Sequence, residues 1–335
     1  MPRPLADGHS IRWGILGAGG IADTFSSDIG LTDGNIVTAV AARDADRAAR
    51  FAERHGATRS YGDYRALVND DEIDVVYIAT THPYHHAHAL LAIGAGRSVL
   101  IEKPVCLNAL EAREVFAAAT QADVFAMEAM WTRTNPLIRK AQQLIAEGAI
   151  GEVRGVRSEF GLGVAFDSTH RLYDLDNGGG ALLDLGIYPA TFAHLFLGPP
   201  DDIRTVGTLS PTGSDDTVAM QWLYHGRPGA QLWASVSVAA PNEAAALGTQ
   251  GWISFLPKAH RPSGLIVHNG EGEHRIEDPL AGQGHGYGPE IEEVAHCLHA
   301  GLLQSPLIPH ADTIAILEIL DGARATLGVI YPSER

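Results

Sequence analysis

Through the first 130 residues, short apolar runs alternate with segments of helical periodicity. Residues 11–16, 35–42, 74–79, 99–101 and 124–127 are rich in Val, Ile, Leu and Ala and are bounded by Gly, Pro or charged residues. Such runs read as strands buried on both faces. Residues 21–29, 45–55, 63–69, 83–95 and 109–120 read as the intervening helices. Regular alternation of this kind predicts an α/β fold, a doubly wound parallel sheet of about six strands.

The second half changes period. A helix over residues 136–147 stops at Gly148, and residues 152–161, 203–209, 217–224 and 230–239 then read as strands, with shorter runs continuing to Ile276. They predict an α+β domain with an open, mainly antiparallel sheet. In 217–224 one face carries Val218, Met220, Trp222 and Tyr224. The other carries Ala219, Gln221 and Leu223, too apolar for a wholly wetted face. Either the chain's own helices cover that face or a second copy does, giving a homodimer. The change of pattern sets two domains, 1–130 for nucleotide binding and 131–335 for substrate binding and dimerisation.

Composition narrows the function. Lys and Arg total 24 against 40 Asp and Glu, a formal net charge of -16. Binding to a phosphate backbone needs clustered cations, so nucleic acid is not an expected partner. Cys106 and Cys297 are the only cysteines, too few for a disulfide framework or a thiolate zinc site, and Cys106 reads as structural despite its nearness to Lys103. His82 and His86 are four residues apart, but no further ligand completes a metal set, and no metal is expected. Residues 1–10 lack the regions of a signal peptide and no apolar run reaches membrane-spanning length, so a soluble, cytoplasmic protein without a membrane partner is expected.

Three stretches carry chemistry. The first, Gly17-Ala18-Gly19-Gly20-Ile21-Ala22, follows an apolar strand and opens a helix. Gly17 permits a tight turn, Gly19 lets backbone N–H groups approach a pyrophosphate, and Ala22 allows close helix–strand packing. The next strand ends in Arg43-Asp44, with Arg47 a helical turn on. An acid there binds the adenine-ribose 2′-hydroxyl, whereas an Arg accepts a 2′-phosphate. Asp44 also suits the N-cap of helix 45–55. Two cations against one anion favour NADP, with NAD possible.

The second stretch is Val99-Leu100-Ile101-Glu102-Lys103-Pro104, an apolar strand whose carboxyl end carries charge, where ligands sit in open α/β sheets. The third is Gly178-Gly179-Gly180-Ala181-Leu182-Leu183-Asp184-Leu185-Gly186-Ile187-Tyr188. It reads as a buried helix on which Asp184 and Tyr188, four residues apart, share one face. Tyr188 either works at a site or merely bonds Asp184 within a core.

In order and spacing, these motifs resemble the glucose–fructose oxidoreductase/inositol dehydrogenase (Gfo/Idh/MocA) family. Met127-Glu128-Ala129-Met130-Trp131-Thr132-Arg133, Asp215-Asp216-Thr217-Val218 and Ser305-Pro306-Leu307-Ile308-Pro309 extend the likeness over essentially the whole chain. The resemblance implies a Rossmann domain, a cis Lys103–Pro104 bond, and dimers formed through the open sheet. It implies that Lys103 and Tyr188 meet at the nicotinamide, with Asp184 as their catalytic companion. Thr80, His82, His85, Glu102, Trp131 and Arg133 join Gly17 to Ala22, Arg43, Asp44, Arg47 and Lys103 as the implied cofactor set. His82, Trp131 and Phe160 join Asp184 and Tyr188 as the implied substrate pocket. Many members have His at the Tyr188 position; Tyr aligns this chain with the sugar- and dihydrodiol-oxidising branch. Thr134-Asn135 stands where dihydrodiol-oxidising members carry two aromatics, which favours a polar sugar such as D-xylose. The expected reaction is hydride transfer from a sugar, polyol or diol hydroxyl. The competing reading, a non-catalytic NAD(P)-binding redox sensor, needs the cradle but not Lys103, Asp184 and Tyr188.

Overall fold

The structure is a computed structural model that describes residues 5–6 and 8–334; residues 1–4 of the N-terminal stretch, residue 7 and residue 335 lie outside the described residues. The chain divides into two compact units, one of residues up to Thr134 together with Gly282–Thr313, the other of Asn135–Ala281 with Ile314 onward.

In the first unit, β1 (Ile11–Leu16), β2 (Asn35–Ala41), β3 (Arg59–Tyr61), β4 (Val75–Ile78), β5 (Ser98–Glu102) and β6 (Ala126–Ala129) form one parallel sheet in the order β3-β2-β1-β4-β5-β6. The crossing helices are α1 (Gly20–Ile29), α2 (Ala45–His55), α3 (Tyr64–Val68), α4 (His85–Gly94) and α5 (Ala109–Gln121). Strand order reverses on either side of β1, and ligands of such sheets sit at that switch point. Leu16 pairs with Ile78 and Ile78 with Ile101, so the Gly17 turn, Thr80 and Glu102-Lys103 emerge at one end of the sheet. The sixth strand, β3, has three residues and no apolar run, which left it without a sequence signal.

α2 shows how local chemistry sets an element. The Asp44 side chain accepts the Arg47 N–H at its start, Gly56 ends it in the left-handed conformation, and Ala48, Phe51 and Ala52 form its buried stripe. Residues 83–95 are not one helix, however. A 3₁₀ turn over His82–Tyr84 precedes α4, as Pro83 fixes its backbone and lacks an N–H.

The first unit also takes back a late piece of chain. α9 (Gly288–Ala300) and its flanks pack with α1 and with α6 (Trp131–Thr134). Asp28 on α1 accepts the N–H groups of His285 (2.8 Å) and Tyr287 (2.9 Å). Arg133 donates from Nε to the Leu307 carbonyl (2.8 Å) and pairs with Asp312. Phe25 stacks on Tyr77 at 3.9 Å and meets Tyr287 edge-on at 5.6 Å, filling the space between sheet and α9. Residues 131–134 and 282–313 thus belong with the nucleotide-binding unit, an assignment that a single boundary after residue 130 does not provide.

In the second unit, α7 (Pro136–Ala146) and α8 (Ile187–Leu197) accompany β7 (Val153–Gly161), β8 (Asp202–Leu209), β9 (Asp215–Tyr224), β10 (Arg227–Ser235), β11 (Ala244–Gly248), β12 (Gly251–Phe255), β13 (Gly264–Asn269) and β14 (Gly272–Glu277). α10 (His310–Leu327) follows near the end of the chain. The sheet runs β14-β13-β12-β11-β7-β10-β9-β8, antiparallel except for the parallel pair β7 and β10. α8, apolar all round, packs on β7, β10 and β11. Residues 175–197 are apolar enough to cross a membrane by composition, but 83% of the most apolar window is buried in protein.

Val218, Met220, Trp222 and Tyr224 of β9 are buried on the helix-covered face, as the alternation requires. Ala219, Gln221 and Leu223 on the opposite face are only half-buried. That face forms a shallow concavity of about 880 Å³ lined by residues including Arg157, Gln221, Gln231, Trp233, Ala245 and Ile266.

Candidate active site

The glycine turn after β1 is built by a close approach of backbones. Gly17 has φ +105, and a Cβ there would lie 2.9 Å from the Ala79 carbonyl oxygen. Gly19 caps α1 without any side-chain bond, and a Cβ on Gly19 or Gly20 would meet nothing within 4 Å. The first amides of α1 therefore face open space across the two residues that carry no side chain, a cradle that fits a pyrophosphate. Ala22 is fully buried where α1 meets the sheet. Arg47 donates from Nε to the Ala18 carbonyl (2.9 Å), securing the turn. Asp44 is occupied as the α2 cap; its bond from the Arg47 amide holds its carboxyl below the usual range. Arg43, beside it, is exposed.

At the ends of β4 and β5 the predicted residues separate into two kinds. Lys103 follows Glu102, joined to Pro104 by a cis bond. Glu102 is buried, accepts the Tyr77 hydroxyl on Oε1 and takes the Lys103 backbone N–H on Oε2 (3.2 Å). His82 is buried on its 3₁₀ turn with its ring 5.7 Å from His85, and Trp131 stacks on Tyr287 at 4.6 Å. Thr80 bonds His88 Nδ1 at 3.1 Å.

His85 and Arg133, both in the expected cofactor set, also brace the chain. His85 is fully buried, with Nδ1 2.8 Å from the Pro104 carbonyl and Nε2 3.0 Å from the Thr80 carbonyl. Burial lowers its pKa, and a neutral ring donates to one carbonyl at a time, tying the Lys103–Pro104 loop to the end of β4. Arg133 binds the Leu307 carbonyl through Nε and Asp312 through Nη2, while Nη1 is buried without a hydrogen-bond partner.

In the second unit, the stretch from Gly178 to Tyr188 is not one regular helix. Leu182–Gly186 forms a π-turn and α8 begins only at Ile187. Gly180 has φ +140, and a Cβ on it would overlap Asp215 Oδ1. Asp184, within the π-turn, is buried and accepts two bonds from Arg171, Nη2 at 2.9 Å and Nη1 at 3.3 Å. Tyr188, also buried, has its ring 5.3 Å from Phe160 on β7 and 5.1 Å from His260, and Phe160 and His260 stack at 4.6 Å. Tyr188 thus meets Phe160 and His260, and Asp184 meets Arg171. Neither Arg171 nor His260 had a periodic signal, since both lie in irregular segments.

Thr134 and Asn135, which stand in place of two aromatics, make local bonds. Thr134 Oγ1 donates to the Trp131 carbonyl (2.9 Å), while Asn135 Oδ1 accepts the Leu137 and Ile138 amides and caps α7. His260 lies against the Tyr188 ring, and Arg171 against Asp184. Among the described residues, no group of three or more His, Cys, Asp or Glu side chains converges on a metal position.

Residues 11–130 match the GFO_IDH_MocA family model, described as oxidoreductase family, NAD-binding Rossmann fold, and residues 138–254 match the GFO/IDH/MocA C-terminal domain. The chain is 38% identical to trans-1,2-dihydrobenzene-1,2-diol dehydrogenase of Mus musculus, over 97% of this chain and 99% of the relative. It is 36% identical to the enzyme of that name from Homo sapiens over the same shares. The chain belongs to the Gfo/Idh/MocA family. Among solved structures, KijD10, a 3-ketoreductase from Actinomadura kijaniata in complex with NADP and TDP-benzene, superposes with a TM-score of 0.82 at 26% identity, covering 94% of this chain and 97% of that one. Aldose-aldose oxidoreductase from Caulobacter crescentus shares the fold, with a TM-score of 0.86 at 20% identity over 95% of this chain and 98% of that one.

This member of the Gfo/Idh/MocA family is accordingly an NAD(P)-dependent dehydrogenase. Among the described residues its nucleotide-binding unit buries carboxyl groups on Asp28, Glu102, Glu128 and Glu290. Burial pushes the Glu102 carboxyl up to about 7, against the Tyr77 bond and the Lys103 charge that favour ionisation. Burial likewise raises Glu128, and burial with the Glu102 and Glu128 charges raises Glu290 well above the usual range.

A carboxyl raised in the folded state contributes stability that is complete below its unfolded pKa and is lost as pH rises through the folded value. For Glu102 that window runs from 4.5 to about 7. Glu102→Gln should therefore flatten the fall in unfolding free energy between pH 5 and pH 8, by at most about 3 kcal/mol. Denaturant titrations of both proteins at the two pH values measure it; parallel losses would show that Glu102 is ionised throughout.

Proposed function

We propose that the enzyme oxidises a CH–OH group of a sugar, an aldose such as D-xylose, or of a related cyclic polyol or diol, with NADP as the preferred cofactor. The observation that carries this reading is the buried Asp184 carboxylate gripped by Arg171, with Tyr188 four residues on against Phe160 and His260. Hydroxyl-binding polarity beside an aromatic wall suits a polyhydroxylated ring, whose faces are apolar and whose edge is polar. Full-length relatives named as diol dehydrogenases, and a fold shared with an aldose oxidoreductase, are consistent with it.

The bound nicotinamide supplies the hydride acceptor. Proton removal falls to the protein. A free tyrosine, with a pKa of about 10, is a poor base at neutral pH. An ammonium within hydrogen-bond range favours the phenolate and brings it into use. In this mechanism Lys103 binds the reacting oxygen and tunes Tyr188. Tyr188 takes the hydroxyl proton in oxidation and returns it in reduction. Asp184, held in one orientation by Arg171, accepts a neighbouring substrate hydroxyl. The preference for NADP draws on Arg43, exposed at the carboxyl end of β2, next to an Asp44 whose carboxylate already caps α2.

A panel of aldoses, polyols and trans-dihydrodiols with NADP, followed at 340 nm, is the direct test, and absence of turnover across it sinks the proposal. With the selected substrate, Tyr188→Phe should lower kcat by at least about 10²-fold, the scale of a lost general base; near-normal turnover would remove Tyr188 from the mechanism.

Removing the charge of Arg43 bears on the cofactor. Arg43→Ala should raise the KM for NADP by about 10-fold or more, as expected for a lost charged hydrogen bond, while leaving that for NAD within about threefold. Equal change for both nucleotides would show that Arg43 does not read the 2′-phosphate.

We further propose that the open sheet face pairs two copies. Half-buried Ala219, Gln221 and Leu223 lie on it beside exposed Val206, and exposed Trp252 stands on β12 of the same sheet, apolar side chains of the kind interfaces use. Light scattering should give about twice the 35.6 kDa chain mass. A monomer at assay concentration contradicts the pairing.

A further inference from the structure

Asp215 opens β9 with its side chain wholly buried, an expensive place for a carboxylate that serves no purpose. Its Oδ2 accepts the backbone N–H of Leu182 at 2.5 Å, and Leu182 is the first residue of the π-turn that carries Asp184. Gly180 approaches the other carboxylate oxygen so closely that no side chain fits between them. Gly179, one residue earlier, lies against the backbone of Arg171, where a Cβ would stand 2.5 Å from the carbonyl oxygen. The turn therefore locates both members of the Arg171–Asp184 pair.

A second brace comes from the end of the chain. The Tyr331 hydroxyl donates to the Gly179 carbonyl at 3.3 Å, and the Arg324 guanidinium lies 4.8 Å from the centre of the Tyr331 ring. Arg324 in turn binds Asp321 at 3.1 Å and Glu334, and Glu334 accepts the Tyr331 amide at 3.0 Å.

Register is what these contacts decide. A π-turn holds one residue more than an α-turn, and a side chain displaced by one residue swings about 100° around a helix axis. Leu182 relaxing into an ordinary α-turn would rotate Asp184 off Arg171 relative to Tyr188 in α8. We propose that Asp215 is a positioning residue of the reaction: its bond to the Leu182 amide fixes the π-turn that sets Asp184 on Arg171 and Tyr188 on Phe160 and His260, with Tyr331 bracing the same turn. This rests on the reading of Asp184 and Tyr188 as substrate-facing groups.

The test compares Asp215→Ala, Asp215→Asn and Tyr331→Phe by turnover, by NADP binding and by amide hydrogen exchange. Asp215→Ala should lower kcat by about 10-fold or more, the scale of a misplaced group, and leave the Kd for NADP within about twofold. Asp215→Asn, which still offers Leu182 an acceptor oxygen, should recover to within about threefold of the parent. Exchange over residues 182–185 should accelerate at least about 10-fold in Asp215→Ala, with β7 and β10 unchanged. Unaltered kcat and exchange in Asp215→Ala overturn the proposal. So do equal defects in the Ala and Asn variants with faster exchange throughout the second unit, which mark a purely structural residue. Should Asp215→Ala fail to fold, Tyr331→Phe decides: a fall in kcat of about two- to fivefold with faster local exchange supports the proposal, and no change in either overturns it. Normal turnover in Tyr188→Phe would refute the catalytic reading, while exchange at Leu182 still reports whether Asp215 holds the turn.

Discussion

Both candidate site segments depend on backbone approaching closer than any side chain allows. At Gly17 the chain turns 2.9 Å, as measured to a would-be Cβ, from the Ala79 carbonyl, and this lets β1 deliver α1 with its first amides bare. At Gly180 the chain passes against the Asp215 carboxylate, and this starts the π-turn. Each glycine also adopts a φ that other residues resist, +105 and +140. The rest of each site follows from those two turns. One exposes N–H groups for an anion to meet; the other aims a carboxylate and a phenol.

The second theme is the placement of buried acid. A protein with 40 acidic side chains can leave nearly all of them in water, yet Asp28, Asp184, Glu102, Glu128, Glu290 and Asp215 are buried, the last four with raised pKa values. Such burial is costly unless donors compensate it. Of the four raised acids, three have donors that are also architecture. Glu102 takes the Tyr77 hydroxyl and the Lys103 amide, Glu128 takes the Val105 amide and the Thr313 hydroxyl, and Asp215 takes the Leu182 amide. In each case the acid fixes backbone immediately beside a residue assigned to chemistry, Lys103 or Asp184. Glu290 differs: neither oxygen has a hydrogen-bond partner, and burial, reinforced by the Glu102 and Glu128 charges, favours its neutral form.

Sequence patterning reaches as far as local physics does. The span of α2 was legible to the residue because cap, apolar stripe and terminal glycine all lie within it. The same holds for the strand–turn–helix at Gly17 and for the apolar approach of β5 to Lys103. What escaped has its cause elsewhere in the chain. β3 is a strand because β2 offers it an edge, with Ala41 paired to Tyr61, not because its three residues are apolar. The return of residues 282–313 rests on Asp28 and Arg133, polar anchors far away in sequence with no period to betray them. His85 lies among residues that look like ligands, but two backbone carbonyls claim its nitrogens.

The π-turn shows why counting residues could group Asp184 with Tyr188 without giving their arrangement. A spacing of four puts two side chains on one face of a regular α-helix. Here Asp184 lies before the α-helix begins, so the helical rule does not fix its direction. That direction is set instead by Arg171 at its oxygens and by Asp215 at the head of its turn, residues 13 and 31 positions away. The residue types at 184 and 188 carry the proposed chemistry; the polar contacts reaching in from distant sequence determine how those side chains are held.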